Sequence, residues 1–154
     1  MLTALHATAW GRAVYLLLIS MLPVVELRGG IPAAALMDVP WPEAYGLCVT
    51  GNMLPVPVLV LFGRRIFGFL RRGILKGLVC RVDQRLGRKA ETVKKYRSLG
   101  LFLLVMIPLP GTGAWTGSLV AGALNMRLKS ALLSIFLGVL AAGGIMTALA
   151  YGLF

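Results

Sequence analysis

Apolar runs alternate with proline-rich and glycine-rich breaks along the chain. Ala13–Leu22, as a helix, would cover about half of the hydrocarbon core of a bilayer. It is followed by the break Pro23–Pro32 and then by a short apolar limb, Ala33–Met37. After the polar turn Asp38–Glu43, the run Ala44–Phe62 is long enough to span a membrane. The first half therefore predicts two short helices joined at a break, followed by a spanning helix.

The second half shows the same order of features. Leu99–Ile107 is again too short to span, and the break Pro108–Gly113 interrupts the helix after it. Ala114–Leu124 forms the next limb and ends in the polar turn Asn125–Lys129, and Ala131–Phe154 is long enough to span. Each break frees backbone groups that lipid cannot satisfy. We therefore expect each break to be the tip of a helical hairpin.

Each half is predicted to be a re-entrant hairpin followed by a transmembrane helix. When the two halves are aligned, the offset is 85 residues at the first proline of each break. It reaches 89 residues where Phe62-Gly63 aligns with Tyr151-Gly152. A re-entrant hairpin enters and leaves on one side, so each half crosses the membrane an odd number of times. The halves are then inverted, as in many secondary transporters. In an alternative, Leu5–Val25 is a complete span, which would place Arg12 inside the membrane and flip the first half.

The composition is typical of an integral membrane protein. Hydrophobic residues make up 58% of the chain, and its mean hydropathy is +0.86. We expect one membrane domain over residues 1–154, with the first hairpin and span in 1–63, a linker in 64–97, and the second hairpin and span in 98–154. The predicted fold class is all-α, an inverted repeat of two units joined by the linker.

The linker carries most of the positive charge. The formal net charge is +11, and twelve of the 16 Lys and Arg residues fall between Arg64 and Arg97. Apolar residues recur among them at helical spacing, which predicts a basic amphipathic helix on an anionic leaflet. The positive-inside rule places this linker on the cytoplasmic side of a multi-pass protein. Nucleic acid explains the charge less well, because no binding motif or aromatic stacking platform accompanies it.

Two ionisable residues stand within the first break. Glu26 and Arg28 are two positions apart in an apolar stretch and precede the pair Gly29-Gly30. Charged groups in a membrane segment are costly unless they are paired or face water, so they are functional candidates. Asn52, inside the first span, is expected to face the same cavity. The simpler alternatives are a water-exposed loop for the charged pair and a kinked span in which Asn52 bonds a freed carbonyl group.

The second break offers groups that suit an anion. A helix that starts after Gly113 presents free backbone N–H groups and the positive end of its dipole. Arg28 would add the bidentate partner that phosphate or carboxylate favours. The predicted substrate site therefore contains residues of both tips and Asn52. The first tip contributes Glu26, Arg28, Gly29 and Gly30, and the second contributes Pro108, Pro110, Gly111, Thr112, Gly113, Thr116 and Ser118.

Glu26 has two candidate roles. It either carries a proton or remains charged beside Arg28 and only stabilises the hairpin. A substrate that competes for Arg28 would switch Glu26 between these states and so couple a proton to substrate movement. An enzyme is disfavoured, and neither a cofactor nor a metal is expected. The sequence has no His, Cys and Asp cluster and no nucleophile with an adjacent base, and Cys48 and Cys80 are far apart.

Three ordered blocks resemble the signature blocks of the family called putative small multi-drug export proteins. They are Pro23-Val-Val-Glu-Leu-Arg-Gly-Gly-Ile-Pro32, Gly51-Asn-Met-Leu-Pro-Val-Pro57 and Pro108-Leu-Pro-Gly-Thr-Gly-Ala-Trp-Thr-Gly117. The layout is similar to that of the broader DedA-like group, whose members carry paired re-entrant hairpins. Some of that group are implicated in moving undecaprenyl phosphate across the bacterial membrane with proton dependence. The chain is shorter than a typical member, which suggests a homo-oligomer in which a partner copy completes the shell.

The residues and the resemblance together favour a transporter in the bacterial cytoplasmic membrane. Its expected substrate is anionic or amphiphilic and lipid-like, such as a polyprenyl phosphate, and its expected partners are the bilayer and anionic lipids. A proton-coupled small multidrug exporter is the second hypothesis, because a cationic drug would gain little from Arg28. A non-transporting membrane scaffold is the third, since polar groups in mid-membrane can serve packing alone.

Overall fold

A computed structural model describes residues 9–72, 90–108 and 112–152 of the chain. These residues contain seven α-helices and no strand. Half of the predicted linker, residues 73–89, and the tip residues 109–111 lie outside the described parts. The helices are α1 (Ala9–Met21), α2 (Glu26–Leu36), α3 (Trp41–Met53), α4 (Val56–Arg72), α5 (Ala90–Met106), α6 (Ala114–Ala123) and α7 (Leu128–Ala150).

Among the described residues, two helical stretches are long and apolar enough to cross a membrane. Trp41–Phe69, which joins α3 and α4, has a hydropathy of 1.7, and α7 has a hydropathy of 2.2. Many large apolar side chains point outward, among them Val58, Phe69, Leu133 and Leu149. Such a surface suits lipid better than water. The fold is therefore that of an all-helical membrane protein.

Each half of the chain contains a pair of helices joined at a break. At the open end of each pair, opposite the break, an arginine of the first helix bonds the backbone just after the second helix. In the first half, Arg12 Nη1 on α1 donates a hydrogen bond to the carbonyl oxygen of Met37, just after α2, at 3.1 Å. In the second half, Arg97 Nη1 on α5 donates to the carbonyl oxygen of Leu124, just after α6, at 3.4 Å. We call these open ends the first base and the second base, and the opposite ends the two tips.

The two halves have residues with positive φ at positions 87 residues apart. Asp38 and Asn125 follow α2 and α6 with φ values of 53° and 49°, and Glu26 and Gly113 stand at the starts of these helices with φ values of 49° and 150°. The same backbone hydrogen bonds also close both helices. Met37, Asp38 and Val39 donate to Ala33, Ala35 and Ala34, and Leu124, Asn125 and Met126 donate to Val120, Gly122 and Ala121.

Helix α7 runs from one base to the other. Near its start, the hydroxyl oxygens of Ser130 and Ser98 are 2.9 Å apart at the second base. Beyond its end, the Tyr151 hydroxyl group donates to the carbonyl oxygen of Val39 at 2.7 Å at the first base. A helix of 23 residues is about 34 Å long. The two bases therefore lie far apart, and the two tips meet between them.

The predicted bounds of the first break are wrong because of proline. The first break is shorter than Pro23–Pro32, since α2 begins at Glu26 and contains Pro32. The φ of proline suits a helix, and only one backbone hydrogen bond is lost there. The predicted span Ala44–Phe62 lies within the apolar stretch Trp41–Phe69, which is interrupted at Leu54 and Pro55 between α3 and α4. The turn before α3 is correspondingly short, because this helix already begins at Trp41.

Gly51 allows α1 and α3 to approach closely, and we expect Gly51→Ala to destabilise the protein. A Cβ atom there would overlap the carbonyl oxygen of Leu17 and stand 3.1 Å from its Cα, so the two backbones would have to separate. Overpacking of this kind costs about 1–3 kcal/mol. The measurement is the midpoint of heat unfolding in detergent. Gly46→Ala on the same helix is the control, since a Cβ atom there meets nothing within 4 Å. Equal midpoints for the two variants would refute the close approach.

Candidate functional site

The carboxylate of Glu26 lies at the N-terminus of α6, where the two tips meet. Its Oε1 accepts a hydrogen bond from the backbone N–H of Trp115 at 3.2 Å, and the residue is only 5% exposed. Gly113 stands directly against the carboxylate, because a Cβ atom at Gly113 would overlap Glu26 Oε2. The negative charge thus sits at the positive end of the α6 dipole.

The guanidinium group of Arg28 reaches from the first tip to the second. Its Nη2 donates to the carbonyl oxygen of Ile107 and to Thr112 Oγ1, each at 3.1 Å. The Thr112 hydroxyl group also donates to the Ile107 carbonyl oxygen, at 2.9 Å. The break after α5 leaves this carbonyl group without its usual helical partner. Arg28 and Thr112 together satisfy it.

Trp115 makes the reciprocal contact from the second tip to the first. Its Nε1 donates to the carbonyl oxygen of Met21, the last residue of α1, at 3.1 Å. Trp115 and Arg28 are 87 residues apart and so occupy equivalent positions in the two halves. Each tip therefore supplies a side-chain donor for the freed carbonyl group of the other. Sequence reasoning did not select Trp115, although its position in the repeat could have indicated it.

A cleft of about 440 Å³ opens beside these contacts. This volume lies in the range of small-molecule sites. The cleft combines charged and hydroxyl groups with apolar walls, so it can hold a polar group and an apolar chain together. Its lining residues are Pro23, Val24, Val25, Glu26, Arg28, Gly29, Pro108, Thr112, Thr116 and Met146.

The structure brings together six of the predicted site residues as cleft lining: Glu26, Arg28, Gly29, Pro108, Thr112 and Thr116. Gly113 does not line the cleft but stands against the Glu26 carboxylate. Pro110 and Gly111 lie outside the described residues.

Three other predicted residues serve packing. Gly30 lies against α1 and α3, where a Cβ atom would stand 2.9 Å from Cys48 Sγ. Ser118 is fully buried and donates a hydrogen bond to the Ala114 carbonyl oxygen within α6. Asn52 is 1% exposed and does not line the cleft, so the structure does not bring it together with the charged pair. Its neighbour Gly51 packs against the backbone of Leu17 on α1.

The sequence-based expectation for the N-terminus of α6 needs one correction. The backbone N–H groups there were expected to be free for an anionic ligand, but the N–H group of Trp115 already binds the Glu26 carboxylate. Glu26 therefore takes the place of an external anion at this helix end. An anion that entered the cleft would have to compete with Glu26.

The family comparison covers most of the chain. The model of the family described as "Putative small multi-drug export protein" matches residues 26–145, a range that begins at Glu26 and includes the second tip. No curated protein and no solved structure matches the chain. The resemblance seen in the three sequence blocks is thus confirmed over most of the chain, which belongs to the small multi-drug export family.

Proposed function

We propose that the protein transports an anionic or amphiphilic, lipid-like substrate, such as a polyprenyl phosphate, across the bacterial cytoplasmic membrane. The family description points to export in general. The observation that carries the proposal further is the cleft at the tips, where Arg28, Thr112 and Thr116 face apolar walls. The head group of the substrate would bind at the polar side, and its chain would lie along the apolar side.

The bonds of Arg28 support an anionic head group. Nη2 bonds with two uncharged oxygens, on Ile107 and Thr112. A phosphate group would offer this guanidinium group charged acceptors instead, and it could bind in the bidentate geometry that arginine and phosphate favour. Thr116, in the first turn of α6, adds a hydroxyl group on the same cleft.

The outer wall of the cleft supports a lipid-like chain. Val24 lines the cleft and is 91% exposed, so the cleft opens to the apolar outer surface of the protein. The exposed Pro23 and the half-buried Val25 and Met146 add apolar groups to the lining. A substrate could therefore place its head group beside Arg28 while its chain stays in the bilayer.

In the proposed topology, the two hairpins enter the membrane from opposite sides. The first base carries Asp38 and Glu43, and the second base carries Arg127 and Lys129. By the positive-inside rule the second base faces the cytoplasm. The run of α7 from base to base supports this arrangement. Inverted halves around a central site are the arrangement that alternating access uses.

Proton coupling follows from the competition at α6. When an anionic head group displaces the Glu26 carboxylate from the Trp115 N–H group, the displaced carboxylate loses its hydrogen-bond donor in a poorly hydrated setting. Such a carboxylate gains by binding a proton. Departure of the head group then returns Glu26 to α6 and releases the proton.

The test is flux in proteoliposomes of a phosphorylated polyprenol and of a cationic dye, with and without a pH gradient. We expect the wild type to move the lipid, faster with the gradient, and Glu26→Gln to move it without responding to the gradient. A pH response in Glu26→Gln equal to that of the wild type would remove proton coupling. Dye efflux without lipid movement would overturn the proposed substrate.

A proton-coupled multidrug exporter is the second candidate. The family description and the carboxylate of Glu26 favour it. A cationic drug would pair with Glu26, but Arg28 lines the same cleft and would repel it. If neither probe moves while Arg28→Ala still folds normally, the non-transporting scaffold becomes the better explanation.

A further inference from the structure

A second cavity, of about 390 Å³, lies at the second base and far from the tips. Its lining includes residues from the middle of α5, from the turn after α6 and from the start of α7. These residues are Arg97, Ser98, Asn125, Met126, Arg127 and Ser130. None of the six is acidic.

We infer that this cavity binds a phosphate group at the membrane surface, with the head group of an anionic phospholipid as its source. Two guanidinium groups, on Arg97 and Arg127, line it. Their planar, always charged donors match phosphate oxygens better than any other common group. The inference concerns a different surface from the tip cleft and does not depend on the proposed transport.

Several side chains of the cavity are held in place by their neighbours. The guanidinium group of Arg97 bonds the Leu124 carbonyl oxygen, and the hydroxyl groups of Ser98 and Ser130 bond each other at 2.9 Å. Arg64 Nε on α4 donates to Asn125 Oδ1 at 3.4 Å, which brings a third cation to the rim. Arg127 is exposed, so an incoming head group can reach it. The site is thus largely formed before its ligand arrives.

The first base has the same backbone but the opposite charge. Arg12 closes it as Arg97 closes the second base. Asp38 and Glu43, however, stand 87 residues before Asn125 and Ser130, so carboxylates occupy the equivalent positions. Phosphate would be repelled there. An excess of cationic groups at one base only is what recognition of a lipid head group in one leaflet requires.

The experiment uses the full chain in detergent and measures binding of short-chain phosphatidylglycerol, of an uncharged glycolipid and of inorganic phosphate. We expect phosphatidylglycerol to bind more tightly than the glycolipid. Loss of one charge-assisted contact should weaken its binding about tenfold in Arg127→Gln and in Arg97→Gln. Arg12→Gln is the matched control, because it also removes an arginine bond to a backbone carbonyl group at a base.

The two sources of phosphate give different results. Binding of phosphatidylglycerol alone supports a lipid head group, and binding of inorganic phosphate with the same response to the variants supports the site with free phosphate as its ligand. Wild-type affinity in Arg127→Gln would overturn the site. So would equal losses in Arg97→Gln and Arg12→Gln, which would indicate a structural effect. Flux through the tips is a separate measurement, so either proposal can fail alone.

Discussion

Replacement of Arg28 by glutamine is expected to reduce the flux of a phosphorylated polyprenol through proteoliposomes by about a hundredfold, because it removes the cation that we propose binds the head group. In the structure Arg28 bridges both tips and lines the cleft. Arg28→Lys keeps the charge but loses the planar fork, so we expect an intermediate flux.

Arg12→Gln is the control that distinguishes a loss of head-group binding from a loss of structural stability. Arg12 and Arg28 each donate to a backbone carbonyl group, at Met37 and Ile107 respectively, but only Arg28 lines the cleft. Arg12→Gln should therefore retain flux near that of the wild type, once the amounts of reconstituted protein are matched. If Arg12→Gln and Arg28→Gln lost flux to the same extent, the head-group role of Arg28 would have to be given up.

Gly113→Ala is expected to cause a large loss of stability at the tips. Gly113 has φ 150° and ψ −163°, a conformation that is essentially restricted to glycine and that costs other residues about 1–3 kcal/mol. The added Cβ atom would also push the Glu26 carboxylate away from the Trp115 N–H group. Loss of that charge-assisted bond costs about 1.5–3 kcal/mol more. We expect the midpoint of heat unfolding in detergent to fall by several degrees.

Gly144→Ala on α7 is the control for this variant. A Cβ atom at Gly144 meets nothing within 4 Å, and the residue lies inside a regular helix. Its unfolding midpoint should stay at the wild-type value or rise slightly, because alanine favours helix over glycine. A wild-type midpoint for Gly113→Ala would show that Glu26 does not depend on its position against α6.

The membrane class, the two breaks and the charged pair could all be predicted from the sequence, because they depend on local composition. Runs of apolar residues are interrupted by Pro and Gly at both tips, and Glu26 and Arg28 stand out as charges in an apolar stretch. The start of α6 after Gly113 was also predicted correctly. These features require no knowledge of which helices pack together.

Contacts between the tips could not be predicted in the same way. The sequence does not indicate that the Glu26 carboxylate binds the N-terminus of α6, or that Trp115 donates to Met21. Both contacts join residues about ninety positions apart and depend on tertiary packing. Asn52 shows the same difficulty, because a polar residue in a span can face a cavity or the packed interior. In the structure Asn52 is 1% exposed and lies outside the cleft lining.

Sequence identity between the two halves would not have revealed how closely their backbones correspond. Asp38 and Asn125 share a backbone conformation, and Arg28 and Trp115 share a role, although neither pair is identical. A repeated fold needs equivalent hydrogen bonds and turns, which different residue types can supply. The order of breaks, limbs and turns is therefore better evidence of the repeat than sequence identity.

Protection of a thiol group in the cleft would show whether substrate binds between the tips. Thr116→Cys places a thiol group on the cleft, in a chain whose Cys80 is replaced by Ser and whose Cys48 is fully buried. Tyr96→Cys, at a position that is 66% exposed, is the control. We predict that a phosphorylated polyprenol slows the reaction of Thr116→Cys with a water-soluble thiol reagent and leaves that of Tyr96→Cys unchanged. Equal reaction rates at Thr116→Cys with and without the lipid would contradict a substrate site at the tips.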